Sequence, residues 1–262
     1  MKRDEIDQTS RSEGRPYQAP ALEKGLDIVE LLARSAVPLT RSDIAAKLGR
    51  SVGELYRMLH HLVERKYIAI VGDSFVLTTK LFELAHYYPP TQRLLTEATP
   101  LMHKLAGEID QSCHLTVYSQ GRQLVIAKVD VPSGMGFSVR VGSELDVLVS
   151  ASGRVLLAFQ DPETQKIRIN EACIIEPNHD LEALATKLDV IAERGFEAAP
   201  SGQVRGLFAI SFPIRDLRGN ALAALTVPYA DRIDQSGRKG HQGVEDALRE
   251  ATQLLTARLS GA

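Results

Sequence analysis

The stretch Leu39-Thr-Arg-Ser-Asp-Ile-Ala-Ala-Lys-Leu-Gly-Arg-Ser-Val-Gly-Glu-Leu-Tyr-Arg-Met-Leu-His-His-Leu-Val-Glu-Arg65 decides the fold of the first part of the chain. Thr40 is a good helix N-cap, with Asp43 at the third helical position. Ile44, Ala45 and Leu48 then face one side, and Gly49 is where the helix must stop. Ser51 can cap a second helix. In it Leu55, Leu59, Leu62 and Val63 form the buried stripe, leaving Glu54, Arg57, Met58, His61 and Arg65 nearer the opposite side. A short helix, a tight glycine-containing turn and a longer helix form the arrangement that lays its second helix in a major groove.

The flanks complete a winged helix. Upstream, Leu22, Leu26, Ile28, Val29, Leu31 and Leu32 recur at helical spacing, predicting a core helix that ends near Ala36-Val37-Pro38. Downstream, Tyr67–Val71 and Phe75–Thr78 read as two strands around Gly72-Asp73-Ser74, a wing. Between Pro20 and Lys80 nine basic residues face seven acidic ones, and the basic ones cluster on the second helix and its turn, where phosphate contacts are made. The DNA-contact candidates are Arg41, Ser42, Arg50, Ser51, Glu54, Tyr56, Arg57, His61 and Arg65. The other reading of this segment is a winged helix that docks on a protein. Adjacent His60 and His61 are not read as a metal motif, since neighbours on a helix do not face one point.

The whole chain sets limits. With 262 residues and 44% hydrophobic content it can bury one large or two ordinary cores. A net charge of −2 excludes a general basic field, so any nucleic-acid contact must be local. Cys113 and Cys173 form neither a disulfide framework nor a zinc spacing. No apolar run reaches the ~18 residues of a membrane span, and the polar start is no signal peptide. The expectation is a cytoplasmic protein with no membrane partner, no cofactor and no metal, and with a mobile arm at residues 1–19.

Beyond Lys80 the pattern changes. Leu81–Tyr88 predicts a two-turn helix halted by Pro89-Pro90. Leu94, Leu95, Ala98, Leu101, Met102, Leu105 and Ile109 follow as an amphipathic helix that Pro100 should kink or restart. Strands are predicted at His114–Tyr118, Gln123–Val131, Phe137–Val141 and Leu145–Val149, then at Leu207–Ile214 and Ala221–Val227. Helices are predicted at Val155–Phe159, from Asp161, at Leu181–Arg194 and at Gly243–Leu259. This mixture makes the fold class α+β.

Ser150-Ala-Ser-Gly153, just before the apolar helix, carries the chemistry of this half. A helix start presents unpaired N–H groups and the positive end of a dipole, and small residues let a carboxylate reach them. Ser150 and Ser152 can equally be N-caps and nothing more. Arg140 is a charge partner for an acid or a solvent-facing strand residue. Catalysis has no support: Cys113 and His114 fall on opposite strand faces, and no GxSxG, HExxH, P-loop or dinucleotide motif occurs, so no catalytic residue is assigned.

Ala21-Leu-Glu-Lys-Gly-Leu-Asp-Ile-Val-Glu-Leu-Leu, Leu39-Thr-Arg-Ser-Asp-Ile-Ala, Leu55-Tyr-Arg-Met-Leu, Ala151-Ser-Gly-Arg-Val-Leu-Leu-Ala, Arg194-Gly-Phe and the run from Ala209 to Val227 together resemble the IclR family of bacterial transcription regulators. The resemblance implies a winged helix-turn-helix DNA-binding domain (20–80), a dimerising linker helix (81–93) and a GAF-like effector-binding domain (94–262). It also implies a homodimer or dimer of dimers on a double-stranded DNA operator, acting as repressor or activator under a small-molecule effector, often a carboxylic acid. Matching positions give Ala151 and Ser152 as backbone contacts to the effector, Met135 and Phe137 as apolar walls, and Ala209 and Thr226 as further contacts; Ser150 and Gly153 complete the set. The chain departs from the family at Val52-Gly53-Glu54, where relatives often start the recognition helix with polar residues. It departs again at Ala209, which replaces a polar or thiol side chain, and at Pro228, which removes a backbone donor.

Overall fold

The computed structural model describes residues 19–132, 135–231 and 239–261. The arm expected at 1–19 lies outside them except for Ala19. The chain divides into two compact units, 1–88 and 89–262.

The first unit runs α1 (Pro20–Arg34), β1 (Leu39–Thr40), α2 (Arg41–Leu48), α3 (Val52–Glu64), β2 (Ile68–Val71), β3 (Ser74–Leu77) and α4 (Lys80–His86). Both helix starts of the helix-turn-helix are closed by capping boxes. The Asp43 amide donates to Thr40 Oγ1 at 3.2 Å while the Thr40 amide donates to Asp43 Oδ2 at 3.0 Å. Ser51 and Glu54 repeat the exchange at 3.3 and 2.9 Å. Gly49 ends α2 in the left-handed region, φ 62°, which costs a glycine nothing.

The core packs Ile28 and Leu32 of α1 against Ile44, Leu55, Leu59, Ile68 and Phe75. The predicted stripe of α1 is too long, since Leu22 and Leu26 are 63% and 52% exposed and only the second half of the helix reaches the core. Met58, expected on the outer side of α3, packs against that core instead. The wing is a β2–β3 hairpin in register Ile70↔Phe75, and the short β1, absent from the sequence reading, pairs with β3.

The second unit contains α5 (Pro89–Ile109), β4 (Cys113–Ser119), β5 (Arg122–Val129), β6 (Glu144–Asp146), α6 (Ala151–Ala158), α7 (Pro162–Ile175), α8 (Leu181–Arg194), β7 (Glu197–Pro200), β8 (Leu207–Arg215), β9 (Ala221–Ala230) and α9 (His241–Ser260). Its six strands form one antiparallel sheet in the order β6-β5-β4-β9-β8-β7. Alternation along the central strands gives the sheet two different faces. Leu115, Ile210, Phe212, Leu225 and Val227 pack against α5 and α9 in the main core. His114, Thr226, Ser211 and Ala224 lie on the other face, where Ala224 meets Val155 and Leu156 of α6.

Several predicted elements shift. Pro89-Pro90 both follows α4 and opens α5, since proline is tolerated in a first helical turn. Pro100 sits inside α5 without interrupting it; Thr99 Oγ1 donates to the Leu95 carbonyl at 2.7 Å. No strand forms at Phe137–Val141. The chain rejoins β5 only at Gly142, whose amide donates to the Val125 carbonyl at 2.8 Å, and the edge strand that follows is the three-residue β6. The apolar helix starts at Ala151 rather than Val155, so Ser150 is its N-cap. Among the described residues no helix is long and apolar enough to cross a membrane.

Candidate functional site: the outer face of α3 and a sheet-floored cavity

On α3, Leu55 and Leu59 are buried, which turns Gly53, Arg57 and His60 to the opposite side of the helix. His60, read with His61 as a groove-facing or exposed histidine but not placed among the contact candidates, lies three residues after Arg57 on the same exposed face. Arg57 and Arg65 are exposed and form no ion pair among the described residues. Tyr56 is 52% exposed, and the Arg41 guanidinium lies 5.2 Å from its ring centre. Ser42 is exposed on the first turn of α2.

Three candidates are engaged by contacts within the fold, Ser51 and Glu54 while remaining exposed. Arg50 Nη2 is 3.0 Å from Asp27 Oδ2 of α1. Ser51 and Glu54 close the cap of α3, and Glu54 also takes Lys24 Nζ at 3.1 Å. Backbone and side-chain hydrogen bonds from Ser51, with Lys24, hold the Glu54 carboxyl down at about 2. Glu54 is therefore an anionic clamp on the helix start, which is why an acidic residue stands where a base contact was sought. His61 Nδ1 is 3.2 Å from Glu64. His60, His61 and Glu64 bring their ligand atoms within 4.8 Å of one another, so the premise that the two rings diverge is corrected.

The second unit holds a cavity of about 350 Å³ on the polar face of its sheet. Its floor is His114 of β4, Thr226 and Pro228 of β9 and Ala209 of β8; Phe137, Arg140 and Val204 stand around it, and Ser150, Ala151 and Ser152 bring the start of α6 to its edge. That helix start is fixed from below. The Ser150 hydroxyl donates to the Asp146 carbonyl at 2.7 Å and accepts the Gly153 amide at 3.1 Å, while the buried Gln123 side chain donates to Ser150 Oγ. Asp146 Oδ1 accepts the Leu148 amide at 2.7 Å, holding the turn that leads in. With Ser150 Oγ taking Gly153, and the first intrahelical bond running from Arg154 to Ser150, the helix ladder leaves the amides of Ala151 and Ser152 unused.

His114 was missed. It is 4% exposed, and its Nδ1 has no hydrogen-bond partner among the described residues. Burial pushes its imidazole down to about 4, so it is neutral near pH 7. Its signal in the sequence was its place in a strand one residue from Leu115, which fixes it on the face opposite the main core. Thr226 is engaged with Ser211, their hydroxyls 2.8 Å apart.

Two candidates do not line the cavity. Met135 is 77% exposed and lies outside its lining. Gly153 packs rather than binds: a Cβ there would collide with the Val147 carbonyl, so glycine is what lets α6 sit on that turn. A larger cavity of about 620 Å³ lies between α8 and β7, but Arg154 and Glu197 in its wall satisfy each other.

Comparison with known proteins agrees with this division. The model of the IclR helix-turn-helix domain matches residues 21–70, and that of the bacterial transcriptional regulator IclR C-terminal region matches 87–256. The chain is similar to the Pca regulon regulatory protein of Pseudomonas putida, 24% identical over 229 residues that span 85% of this chain and 79% of that one. It is also similar to the transcriptional regulator KdgR of Escherichia coli, 27% identical over 195 residues, 72% of this chain and 74% of that one. Its fold matches that of an IclR homologue from Microbacterium hydrocarbonoxydans complexed with 4-hydroxybenzoate, with a TM-score of 0.73, 23% identity and coverage of 92% and 100%. The chain belongs to the IclR family of bacterial transcriptional regulators, which are regulators and not enzymes.

Proposed function

We propose that this chain binds a double-stranded DNA operator through α3 and its flanks, and that a small organic or aromatic carboxylic acid held at the start of α6 modulates that binding. The observation that carries the ligand half is the pair of unused first-turn amides, Ala151 and Ser152, at the edge of a cavity with apolar walls. There a carboxylate gains two N–H donors and the positive end of the helix dipole. The fold neighbour complexed with 4-hydroxybenzoate supports an acid of that size.

On the DNA side, Arg57 and Tyr56 read or brace the groove, with Arg41, Ser42, His61 and Arg65 toward phosphate, while Arg50, Ser51 and Glu54 position the helix. Gly53 leaves the first turn of α3 bare, with open space where a Cβ would be, so the backbone itself can approach closely. The protein acts as a homodimer or pair of dimers on half-sites about one helical turn apart, and residues 81–93 are the linker. A winged helix built to dock on a protein is disfavoured by the exposed Arg57, Arg65 and Lys66.

The ligand must bind one DNA-affinity state better than the other, since equal affinity shifts nothing. A gel-shift titration on the protein's own promoter-region DNA, at fixed moderate salt, tests the DNA half. Retention should depend on sequence, and Arg57→Ala should weaken it while ligand binding stays intact. Equal retention of unrelated DNA would sink the reading.

A further inference from the structure

We propose that Asp146, Glu176 and His179 bind one divalent transition-metal ion of the zinc class, which ties the edge strand β6 to the end of α7 and to the loop before α8. None of the three lines the sheet-floored cavity, so the inference is independent of what that cavity holds.

The expectation of no metal rested on sequence spacings, and no spacing announces this site. Asp146 ends β6, Glu176 is the C-cap of α7, and His179 directly precedes Asp180, the N-cap of α8. The fold brings one ligand atom from each within 4.8 Å of the others. The Asp146 and His179 side chains are largely covered, 13% and 17% exposed.

The distances around the imidazole are those of ligands rather than of hydrogen bonds. His179 Nε2 lies 3.6 Å from Asp146 Oδ2 and 3.8 Å from Glu176 Oε2, both beyond hydrogen-bond range. One ring nitrogen carries at most one hydrogen, so it cannot bond both carboxylates well at once. An ion can join all three. Donors ~2.1 Å from a tetrahedral ion stand about 3.4 Å apart, so each histidine–carboxylate pair has only a few tenths of an ångström to close.

The carboxylates are already aimed. Asp146 Oδ1 accepts the Leu148 and Val149 amides at 2.7 and 3.3 Å, and Glu176 Oε1 takes Arg122 Nη2 at 2.6 Å. In each, one oxygen is held by the protein and the other faces the imidazole, which is how supporting groups orient carboxylate ligands in metal sites. Arg122 offsets one carboxylate charge and leaves the other for the cation. An imidazole with two carboxylates suits zinc and the neighbouring transition metals, whereas magnesium and calcium take oxygen ligands. Three protein donors leave a tetrahedral ion one position for water. His179 also lines the cavity of about 620 Å³ between α8 and β7, which gives the ion a way in. The Asp146 carbonyl accepts the Ser150 hydroxyl, so an ion on this residue clamps the turn from which α6 starts.

The test is calorimetric titration of untagged, EDTA-treated full-length protein with zinc chloride, and with magnesium chloride as control, beside thermal melts. His60, His61 and Glu64 on α3 bring their donors equally close, so the titrations are run on a His60→Ala/His61→Ala background as well as on the wild type. That background should bind about one equivalent of zinc and melt at a higher temperature with it, and magnesium should do neither. Adding His179→Ala, or Glu176→Gln at the more exposed corner, should weaken zinc binding by roughly tenfold or more and remove the stabilisation. Melts without metal report whether each variant is folded, and the result on the unmodified site stands whatever the variants do. No zinc binding in the His60→Ala/His61→Ala background, binding matched by magnesium, or binding unchanged in a folded His179→Ala or Glu176→Gln variant overturns the site.

Discussion

Arg154 on α6 grips Glu197 on β7, with Nε donating to both carboxylate oxygens at 3.0 Å, Nη2 donating to Oε1 and Nη1 reaching the Val149 carbonyl. Both side chains are 9% exposed. The pair ties α6, whose start edges the candidate cavity, to the edge strand and to the turn before it.

Removing one partner strands the other. Arg154→Leu should lower unfolding free energy by about 3–5 kcal/mol, because a buried carboxylate loses its counter-charge and hydrogen bonds. Replacing both, as Arg154→Met with Glu197→Leu, should recover most of the loss. Urea unfolding of the two variants checks this, and equal destabilisation of single and double variants would show that packing, not charge, holds the junction.

Gly153→Ala should destabilise by about 1–3 kcal/mol or more, since the added methyl meets the Val147 backbone carbonyl and cannot rotate away. The shift should also misplace the amides of Ala151 and Ser152, so acid affinity falls along with the melting temperature. A variant with full stability and unchanged affinity would remove Gly153 from the account.

The cap of α3 is testable apart from DNA contact. Ser51→Ala should cost about 1 kcal/mol. The Glu54 carboxyl is lowered from 4.5 to about 2, so its contribution is fully present above pH 4.5 and is lost as pH falls toward 2. Glu54→Gln should flatten that acid limb when followed by circular dichroism.

His114 titrates in a different window. Its imidazole is lowered from 6.5 to about 4, so between those values the unfolded chain binds the proton and the folded one does not. Stability is present above pH 6.5 and is lost as pH falls to 4, by on the order of 3 kcal/mol. Denaturation at pH 7 and pH 4.5 should show this slope in the wild type and its loss in His114→Phe.

Much of this was legible in the sequence because it rests on local chemistry. Thr40 with Asp43 and Ser51 mark the two helix starts, and Gly49 and Gly195 mark helix ends, whereas the closing of the second cap by Glu54 was not read. What failed depends on long-range pairing. Phe137–Val141 alternates like a strand, yet β5 takes its edge partner from residues 142–146 instead. β7, Glu197-Ala-Ala-Pro, has no β-branched residue and is held as an edge strand by β8 alone.

The cavity was half legible. The helix start at Ser150–Ser152 carries its own signal in small residues before an apolar run. For His114 strand alternation signals only the face; its place beside Thr226 depends on a register with a residue more than a hundred positions away, which no local pattern encodes. Gly153 was misread because small residues that admit a ligand and small residues that admit a neighbouring backbone look alike in sequence.

The most direct test of the central claim is fluorescence anisotropy of labelled promoter-region DNA against the full-length protein, with and without a saturating acid that raises its melting temperature. The acid should change DNA affinity at least fivefold in either direction, the low end of typical allosteric coupling, and by linkage DNA should change the affinity for the acid by the same factor. An acid that binds and stabilises the protein while leaving DNA affinity unchanged would contradict the account.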